Sequence, residues 1–555
     1  MPKMTGGQYI AESFKGYGVT HAFLVPAILR KTLVEMDKRG IRPIVTHGEK
    51  AAAYMADGYA RASHRIGVCM AQSVGAANLA AGLQDAKLAL SPVMAITGHR
   101  PASHKGKHSY QEIEHPPLYA PVTKFSTNVE TVEQLPFLMR RAFREATSGA
   151  PGPVHLDLAG IAGEVVGEAE ADLELIIEEQ YASYPPSRPE PELARVREAA
   201  LAINRAKRPI IVAGGGVTAS GAKDEVRALA EALSIPVAYS LNAKNTLPDD
   251  HPLSVGVVGS YSRWCANMAV SEADLVVYIG SQTSSQVTHD WRIPRPGTAV
   301  VQIDIDPTEI GRHYPAQVGI VGDAKVTLQR LLELVDSEPD RSEWVEQVQG
   351  HVRDWHAEVQ PFKDSDDEPI RPERLCKELS AILPSDALVA SDTGHSGIWT
   401  GTMLDMTHPD QSYIRCAGTL GWSLPATMGA KCALPDRPAI CFTGDGGFWY
   451  HIAELETAAR YGINAVFVVN NNSALSQDRA GDYRVYEGEP GDPTRLFKFQ
   501  EIDFAHLAET VGCKGIRVQH PRDIPSAIEE AIASNRPTVV DVVGEMNVAA
   551  AGPWG

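Results

Sequence analysis

The chain has 555 residues, of which 44% are hydrophobic and 22% are charged, which is enough apolar material for several buried cores and excludes a disordered or fibrous protein. At about 150 residues per domain, this length predicts three or four domains, of which three is the starting expectation. The 51 Lys and Arg against 69 Asp and Glu give a net charge of −18, which argues against a nucleic-acid or anionic-membrane surface and leaves small molecules as the expected partners.

The first part of the chain, residues 1–165, is predicted to be one domain in which helices alternate with short apolar strands. This alternation is typical of βα units that build a parallel sheet. A proline-rich stretch, Tyr184–Pro191, follows an acidic one and is predicted to be an extended linker. The predicted elements are helix Gly7–Gly18, strand Ala22–Val25, helix Glu49–Arg61 and strands Ile66–Met70, Val93–Thr97 and Pro153–Leu158.

Two further blocks of the same kind predict a central domain, 190–340, and a third domain, 370–555. A charged stretch, Asp336–Asp367, separates them. The predicted fold class is therefore α/β, with three consecutive parallel-sheet domains. The central elements are strands Pro209–Ala213, Leu275–Ile279 and Ala299–Ile305 and helix Ala324–Val335, and those of the third block are strands Ala387–Ala390, Ala439–Phe442, Ala465–Val469 and Thr538–Val543 and helix His451–Tyr461.

Several features predict a cytoplasmic protein without a membrane anchor. The first residues, Met1–Gly7, lack the basic start and apolar core of a signal peptide. A long uncharged stretch, Ile66–Gln84, holds too many polar residues and glycines to span a membrane. The seven cysteines are scattered, odd in number and without CxxC spacing, so neither a disulfide framework nor a thiolate zinc site is expected.

A glycine-rich turn directly follows one predicted strand of the third block. Gly444, Gly446 and Gly447 would let backbone N–H groups approach a phosphate, and Asp445 among them suits a hard divalent cation bound to that phosphate. The next predicted strand runs into Asn472. Because parallel strands end at one edge of a sheet, Asp445 and Asn472 are expected side by side, where they can share one Mg²⁺.

The spacing from Met428-Gly429 through Pro435 to this turn resembles the signature of thiamine-diphosphate enzymes. The likeness extends from about Gly6 to about Val543 and indicates the acetohydroxyacid synthase-like branch. It implies that the three domains are pyrimidine-binding, central and diphosphate-binding, in that order. It also implies that thiamine diphosphate and Mg²⁺ are the cofactors.

Two predicted site residues lie in the first domain. The segment His47–Arg61 is similar to the helix that carries the family's catalytic glutamate, which implies that Glu49 shares a proton with the aminopyrimidine ring and activates the cofactor. Without the resemblance, Glu49 would be an ordinary favourable charge at a helix start. The motif Ser109–Glu112 is similar to one that lines the reaction cavity, so Gln111 is expected to orient a substrate carboxylate or carbonyl.

The third domain supplies the remaining predicted contacts to the cofactor. The loop around Gly394, His395 and Ser396 resembles the family loop that touches the diphosphate, although an ordinary surface loop is the alternative. Ala474 would offer its carbonyl oxygen to the metal. Leu420 lies in a segment that resembles the one with an apolar wedge between the cofactor's two rings, and its alternative is an ordinary core leucine.

The chain departs from the family pattern at both sides of the expected reaction cavity. Val25–Ile28 replaces a Val-Pro-Gly-Gly turn, which adds side-chain volume where substrate would approach. Ser473–Arg479 replaces a Gly-Met-Val-x-Gln-Trp stretch and lacks its tryptophan, which selects the second keto acid. These differences argue against acetolactate as the product.

The central domain keeps part of a nucleotide-binding pattern. Gly214–Gly216 and Ile303–Pro307 resemble the adenine-nucleotide contacts of flavin-containing members, which leaves room for FAD. The family's arginine is replaced in Ser284–Thr288, and Arg263 is the candidate to replace that cation at the diphosphate. FAD is therefore not expected, and a central domain without a ligand is the alternative.

The resemblance implies a homodimer or homotetramer whose sites lie between the first domain of one subunit and the third domain of another. The expected reaction is loss of CO₂ from a 2-oxo acid and transfer of the resulting acyl carbanion to an acceptor, as in acetolactate synthase-like carboligases. The alternatives are simple decarboxylation of a 2-oxo acid, cleavage of a 2-hydroxy ketone or 2-hydroxyacyl-CoA substrate, an electron-transferring oxidase and a catalytically silent homologue.

Overall fold

A computed structural model describes residues 2–335 and 340–554. The described chain forms three six-stranded sheets, all parallel, and one two-stranded antiparallel sheet. Helices cover both faces of each large sheet, so central strands such as Leu275–Ile279 are apolar along their whole length and entirely buried. The predicted α/β class with three parallel-sheet domains is confirmed, whereas the domain limits 1–165, 190–340 and 370–555 stay predictions.

The first sheet has the strand order β3-β2-β4-β5-β7-β6. The small sheet pairs β1 with β8 and fastens the chain start to the end of this domain. The elements are β1 (Lys3–Thr5), α1 (Gly6–Gly16), β2 (His21–Leu24), α2 (Arg30–Lys38), β3 (Arg42–Val45), α3 (Glu49–Ser63), β4 (Gly67–Ala71), α4 (Gly75–Leu88), β5 (Val93–His99), α5 (Pro116–Tyr119), β6 (Phe125–Val129), α6 (Leu135–Thr147), β7 (Val154–Ala159), α7 (Glu164–Gly167) and β8 (Glu170–Asp172).

The central sheet has the order β11-β10-β9-β12-β13-β14. This is the strand order of dinucleotide-binding folds, in which ligands bind where the order reverses, here between β9 and β12. The elements are α8 (Leu193–Arg205), β9 (Pro209–Ala213), α9 (Gly215–Ser220), α10 (Lys223–Leu233), β10 (Val237–Tyr239), β11 (Ser254–Val257), α11 (Trp264–Glu272), β12 (Leu275–Ile279), β13 (Ala299–Asp304), β14 (Val318–Val321) and α12 (Ala324–Leu332).

The third sheet, β16-β15-β17-β18-β20-β19, repeats the topology of the first. Its strand order reverses between β15 and β17. The elements are α13 (Ser342–Lys363), α14 (Pro372–Ile382), β15 (Leu388–Ser391), α15 (His395–Thr402), β16 (Ser412–Arg415), α16 (Ser423–Ala433), β17 (Ala439–Gly444), α17 (Asp445–Trp449), α18 (Glu454–Tyr461), β18 (Val466–Asn471), α19 (Arg479–Val485), α20 (Thr494–Phe497), α21 (Phe504–Thr510), β19 (Lys514–Val518), α22 (Ile524–Ala533) and β20 (Thr538–Val543).

The interpretation of 336–367 as a charged separator is wrong for most of its length. Residues 336–339 lie outside the described part of the chain, but Ser342–Lys363 forms a helix of 22 residues, α13. Trp344, Val348, Trp355 and Val359 are buried on one face of it, at the spacing of an amphipathic helix. Because the opposite face of the helix is charged, the overall composition of this stretch did not reveal the apolar stripe.

Five charged residues are buried together where α13 and the third domain meet the central domain. Lys244 Nζ lies 3.3 Å from Asp249 Oδ2, and Arg263 Nη1 lies 3.1 Å from Asp249 Oδ1. Asp405 lies 2.6 Å from Arg263 Nη2 and 2.7 Å from Lys363 Nζ. Burial alone would raise the pKa of Asp249, but Arg263 and Lys244 outweigh it and hold that pKa below its usual range. We call these five residues the charged seam.

The first and third domains are joined most closely by helices α3 and α16. An ideal Cβ built on Gly58 of α3 would lie 2.0 Å from the Ala426 carbonyl oxygen, and one on Gly429 of α16 would lie 1.9 Å from the Met55 carbonyl oxygen. Each glycine therefore admits the backbone of the other helix. The helix that begins at Glu49 is fixed in this way against the third domain.

Replacing Gly58 or Gly429 by alanine is expected to destabilise the protein by about 1–3 kcal/mol or more, because the added methyl group overlaps backbone atoms that cannot move aside. Gly350→Ala is the matched control, since the nearest atom to its ideal Cβ is 3.9 Å away in a flexible arginine. That control should gain about 0.5–1 kcal/mol from helix propensity. Urea unfolding followed by tryptophan fluorescence measures both, and equal midpoints for Gly58→Ala and wild type would contradict the expectation.

All seven cysteines are free thiols, and six of them are buried. Within residues 2–335 and 340–554, no helix combines the length and the apolar character needed to cross a membrane.

Candidate active site

The predicted cofactor loops of the third domain lie at the point where the strand order reverses. Strands β17 and β18 are parallel neighbours, and Gly444 pairs with Asn470. Asp445 therefore follows the end of β17 beside Asn472, which follows the end of β18. This pairing places the two residues side by side at the carboxyl-terminal edge of the sheet, and their shared role in holding Mg²⁺ stays a prediction.

Asp445 is a buried carboxylate without a hydrogen-bond partner at Oδ1 within the described residues, and it is 2% exposed. Burial raises the pKa of Asp445 to about 7, against the lowering effect of nearby backbone N–H groups, Asn472 and Ala474 among them. A buried oxygen without a partner is costly unless a cation meets it. The carboxylate of Asp445, the amide of Asn472 and the carbonyl of Ala474 are the oxygen donors that Mg²⁺ prefers, so the site fits that ion.

The loop that begins α15 contacts the loop after β18. His395 Nδ1 lies 3.1 Å from Ser476 Oγ, and that hydroxyl also accepts from Asn472 Nδ2 at 3.1 Å. Gly394 has a φ of +65°, and its ideal Cβ would lie 2.7 Å from Gln477 Oε1. Burial lowers the pKa of His395 to about 4, so its ring is neutral near pH 7. The structure brings Gly394, His395 and Ser396 close to the predicted metal residues.

Asp392 organises the loops around this group, and the sequence did not single it out. Its carboxylate accepts hydrogen bonds of 3.0 Å from the N–H groups of Gly421 and Ser423 and one of 2.7 Å from the Ser423 hydroxyl. The ideal Cβ of Gly447 would lie 3.0 Å from Asp392 Oδ1. Leu420 immediately precedes Gly421, so Asp392 fixes the segment with the predicted wedge beside the glycine-rich turn that contains Gly446 and Gly447.

Glu49 begins α3 and is half-buried at the edge of the first sheet. Its Oε2 accepts a hydrogen bond of 3.2 Å from Asn78 Nδ2. An ideal Cβ on Gly75 would lie 2.5 Å from Glu49 Oε1. A larger residue at position 75 would displace the carboxylate, so the turn before α4 sets the position of Glu49.

Gln111 lies on the same side of the first domain and has an unusual backbone. Its φ of +57° is in the left-handed region, which a residue with a side chain rarely adopts without a reason. The Ser73 hydroxyl donates a hydrogen bond of 2.5 Å to the Gln111 carbonyl oxygen. Gln111 Oε1 is buried without a partner within the described residues. Ser73, two residues before Gly75, therefore links the Gln111 loop to the turn that holds Glu49.

The two groups of predicted residues stay separate within one chain. In the described residues, no hydrogen bond or ion pair joins Glu49 or Gln111 to the loops around Asp445 and His395. Contacts between the two regions are indirect: the N–H of His47, two residues before Glu49, donates to Glu454 Oε1 at 3.0 Å, and the Lys50 ammonium group lies 5.2 Å from the centre of the Tyr450 ring. Burial lowers the pKa of Lys50.

The turn Val25–Ile28, which departs from the family pattern, adds less side-chain volume toward the site than the sequence predicts. Ile28 is 0% exposed and packs in the core of the first domain. Ala27 is partly exposed, so it alone of these two residues can add side-chain volume toward the site.

A separate cavity of about 490 Å³ opens where the order of the central strands reverses. Gly214–Gly216 and Asp304 line it, and Arg415 reaches it from the third domain and donates to Gln286 Oε1 at 3.1 Å. The expectation that Arg263 replaces the missing cation is wrong. Arg263 is 2% exposed and belongs to the charged seam, where it pairs with two aspartates and does not line the cavity.

Three family models match consecutive parts of the chain. They are the N-terminal TPP-binding domain of thiamine pyrophosphate enzymes at residues 4–118, the central domain at 196–331 and the C-terminal TPP-binding domain at 392–542. Together they cover more than half of the chain and correspond to its first, central and third sheets.

Curated relatives extend over almost the full length. A probable acetolactate synthase large subunit from Methanocaldococcus jannaschii is 37% identical over 90% of this chain and 85% of its own length. The large subunit of acetolactate synthase from Corynebacterium glutamicum is 32% identical over 98% of this chain and 87% of its own. The large subunit of acetolactate synthase isozyme 3 from Escherichia coli is 30% identical over 98% and 95%, respectively.

Proposed function

This chain belongs to the thiamine pyrophosphate enzymes, in their acetolactate synthase-like branch, and we propose that it removes CO₂ from a 2-oxo acid and transfers the acyl carbanion to an acceptor. The observation that carries the proposal is the buried Asp445 carboxylate, unpartnered at Oδ1 within the described residues, next to Asn472 at the edge of the third sheet. Such a group needs a cation, and a cation there would hold a diphosphate.

We propose Mg²⁺ as that cation, held by Asp445, Asn472 and the carbonyl of Ala474. The diphosphate would lie against the backbone of the Gly444–Gly447 turn and against the Gly394–Ser396 loop. His395 is neutral at physiological pH and can donate a hydrogen bond to phosphate without adding charge.

Thiamine diphosphate, when bound, supplies a carbanion that adds to a carbonyl carbon and a ring that holds the electrons released with CO₂. Glu49 would take and return a proton through Oε1 or Oε2, with Asn78 and Gly75 fixing the carboxylate. Gln111 would orient the substrate through its unpartnered amide oxygen or its N–H₂ group. Leu420, held by the loop bonded to Asp392, would support the bent shape of the cofactor.

We propose that two copies of the chain complete each site, in a homodimer or homotetramer. The groups around Glu49 and Asp445 are separate within one chain, but both would have to contact the same cofactor molecule. A second copy of the chain, which supplies one of the two groups, would meet this requirement. Size-exclusion chromatography with light scattering would report the oligomeric state.

The central cavity does not fit the diphosphate of FAD well. Asp304, Asp306 and Asp323 line it, whereas Arg61, which also lines it, is already bonded to Asp57 at 2.7 Å. The remaining cation there is Arg415. We propose that the reaction needs no flavin, and the visible absorbance of the purified protein tests this.

A screen of 2-oxo acids for CO₂ release that depends on thiamine diphosphate tests the proposed reaction. We expect release from at least one small 2-oxo acid and, by mass spectrometry, a product that contains both donor and acceptor. Release without a coupled product would favour simple decarboxylation, which the absence of tryptophan in Ser473–Arg479 would explain. If no 2-oxo acid releases CO₂ and the protein instead cleaves a 2-hydroxy ketone or a 2-hydroxyacyl-CoA, the proposed reaction is wrong and the protein is a lyase.

A further inference from the structure

A buried polar cluster in the first domain lies outside the cofactor loops and is centred on Asp157 of β7. Its carboxylate accepts hydrogen bonds from the Thr97 hydroxyl at 2.7 Å and from His115 Nδ1 at 3.0 Å. Burial alone would raise the pKa of Asp157, but the hydrogen bond with His115 and the approach of His99 to 3.4 Å outweigh burial and hold that pKa below its usual range. Asp157 is therefore a charged acceptor inside the domain.

His115 is 0% exposed and connects this carboxylate to the active-site loop. Its Nε2 lies 2.9 Å from the carbonyl oxygen of Ser73. A carbonyl oxygen and a carboxylate can only accept hydrogen bonds, so the His115 ring has an acceptor on each side. His115 therefore bridges Asp157 and the backbone of Ser73.

The neighbouring His155 belongs to the same hydrogen-bond network. The hydroxyl of Thr97 gives its one proton to Asp157, so it can only accept from His155 Nε2 at 2.6 Å. Burial lowers the pKa of His155 to about 3, so His155 is neutral.

Ser73 connects His115 to both predicted catalytic residues, Gln111 and Glu49. Its hydroxyl donates to the Gln111 carbonyl oxygen, 2.5 Å away, and so holds Gln111 at its left-handed φ of +57°. Two residues further, Gly75 lies against the Glu49 carboxylate. Without His115, the carbonyl of Ser73 loses the hydrogen-bond partner that His115 Nε2 provides, and the turn can rotate.

We propose that His115 is a positioning residue: through its contacts with both Asp157 and Ser73, it fixes the turn that orients Gln111 and Glu49 for the reaction. His115 would not take part in the chemical step itself, because it contacts neither predicted catalytic side chain. This inference rests on the proposed function for its kinetic consequence, whereas its structural consequence can be measured without any substrate.

The kinetic test compares His115→Gln, Ser73→Ala and Gln111→Ala with wild type. We expect His115→Gln to lower kcat by about 10- to 100-fold, the effect of a displaced catalytic group, with the Kd for thiamine diphosphate unchanged. Because His115 acts in part through Ser73 and Gln111, the double variant H115Q/Q111A should lose less activity than the product of the two single losses. If the activity losses of the two single variants multiply fully in the double variant, the effect of His115→Gln is a general structural defect and the proposal is overturned.

His99→Gln is the matched control. His99 approaches the same carboxylate, with Nδ1 3.4 Å from Asp157 Oδ2, and its other contact is Glu130 at 3.3 Å. The contacts described for His99 do not include Ser73, so this variant should keep wild-type kcat. Ser73→Ala removes one oxygen atom only, so it keeps the test valid if His115→Gln folds poorly.

The structural arm uses hydrogen–deuterium exchange with mass spectrometry on the cofactor-free protein. We expect faster exchange in peptides covering 106–114 for His115→Gln and Ser73→Ala, and wild-type exchange for His99→Gln. If wild type turns over no substrate, the proposed function fails while this arm still decides the inference. Unchanged exchange in both His115→Gln and Ser73→Ala, or wild-type kcat in an active His115→Gln enzyme, overturns it.

Discussion

Replacing Glu49 by glutamine is expected to lower kcat by about 10³-fold, the contribution of a positioned group that exchanges a proton. Glutamine has the same shape and can still accept the hydrogen bond that Asn78 donates to Glu49, but its amide cannot take up and return a proton at neutral pH. The change therefore removes the chemistry and keeps the packing. Steady-state CO₂ release from the best 2-oxo acid measures the loss.

Glu456→Gln is the control for this variant. Glu456 is an exposed glutamate near the same helix start, where its Oε2 lies 2.8 Å from His47 Nε2. We expect this control to keep wild-type turnover, and both variants to bind thiamine diphosphate as wild type does. Wild-type turnover in Glu49→Gln would remove the assignment of Glu49 as the activating group.

Replacing Asp445 by asparagine is expected to weaken Mg²⁺-dependent binding of thiamine diphosphate by at least about 100-fold, since even residues that only support a metal ligand are worth 10- to 100-fold. The variant keeps an oxygen donor but loses the negative charge that the cation balances. Removing Mg²⁺ from wild type with EDTA should likewise release the cofactor. Isothermal titration calorimetry with and without Mg²⁺ measures both effects.

Asp478→Asn serves as the control because Asp478 is exposed in the loop that follows the same strand. It should bind cofactor as wild type does. Cofactor binding that survives in Asp445→Asn, or that is insensitive to EDTA in wild type, would show that the metal is held elsewhere.

Most inner strands of the three sheets were predictable from the sequence, whereas the edge strands and the short inner strand Val237–Tyr239 were missed. Strands Pro209–Ala213, Leu275–Ile279 and Thr538–Val543 match the predicted bounds, because a strand buried on both faces is a continuous apolar run. Phe125–Val129 and Ser412–Arg415 lie at sheet edges and were missed. Their partly exposed polar residues give no periodic signal.

The same contrast holds for the candidate site. Asp445 and Asn472 could be paired from the sequence, because the position of loops after adjacent parallel strands follows from the topology alone. The roles of Asp392, Ser73 and His115 depend on contacts between segments that are far apart in the chain. No local pattern distinguishes such a residue from an ordinary buried polar group, so the folded structure was needed to find them.

The charged seam restricts how this protein can be recombined with its relatives. A chimera whose central domain comes from a parent without a cation at the position of Arg263 would leave Asp405 with Lys363 as its one cationic partner. Breaking a buried ion pair costs up to about 3–5 kcal/mol, a large part of the stability of a typical domain, and the retained contact with Lys363 reduces that cost. Crossover points therefore have to keep the central domain, α13 and the start of the third domain from a single parent.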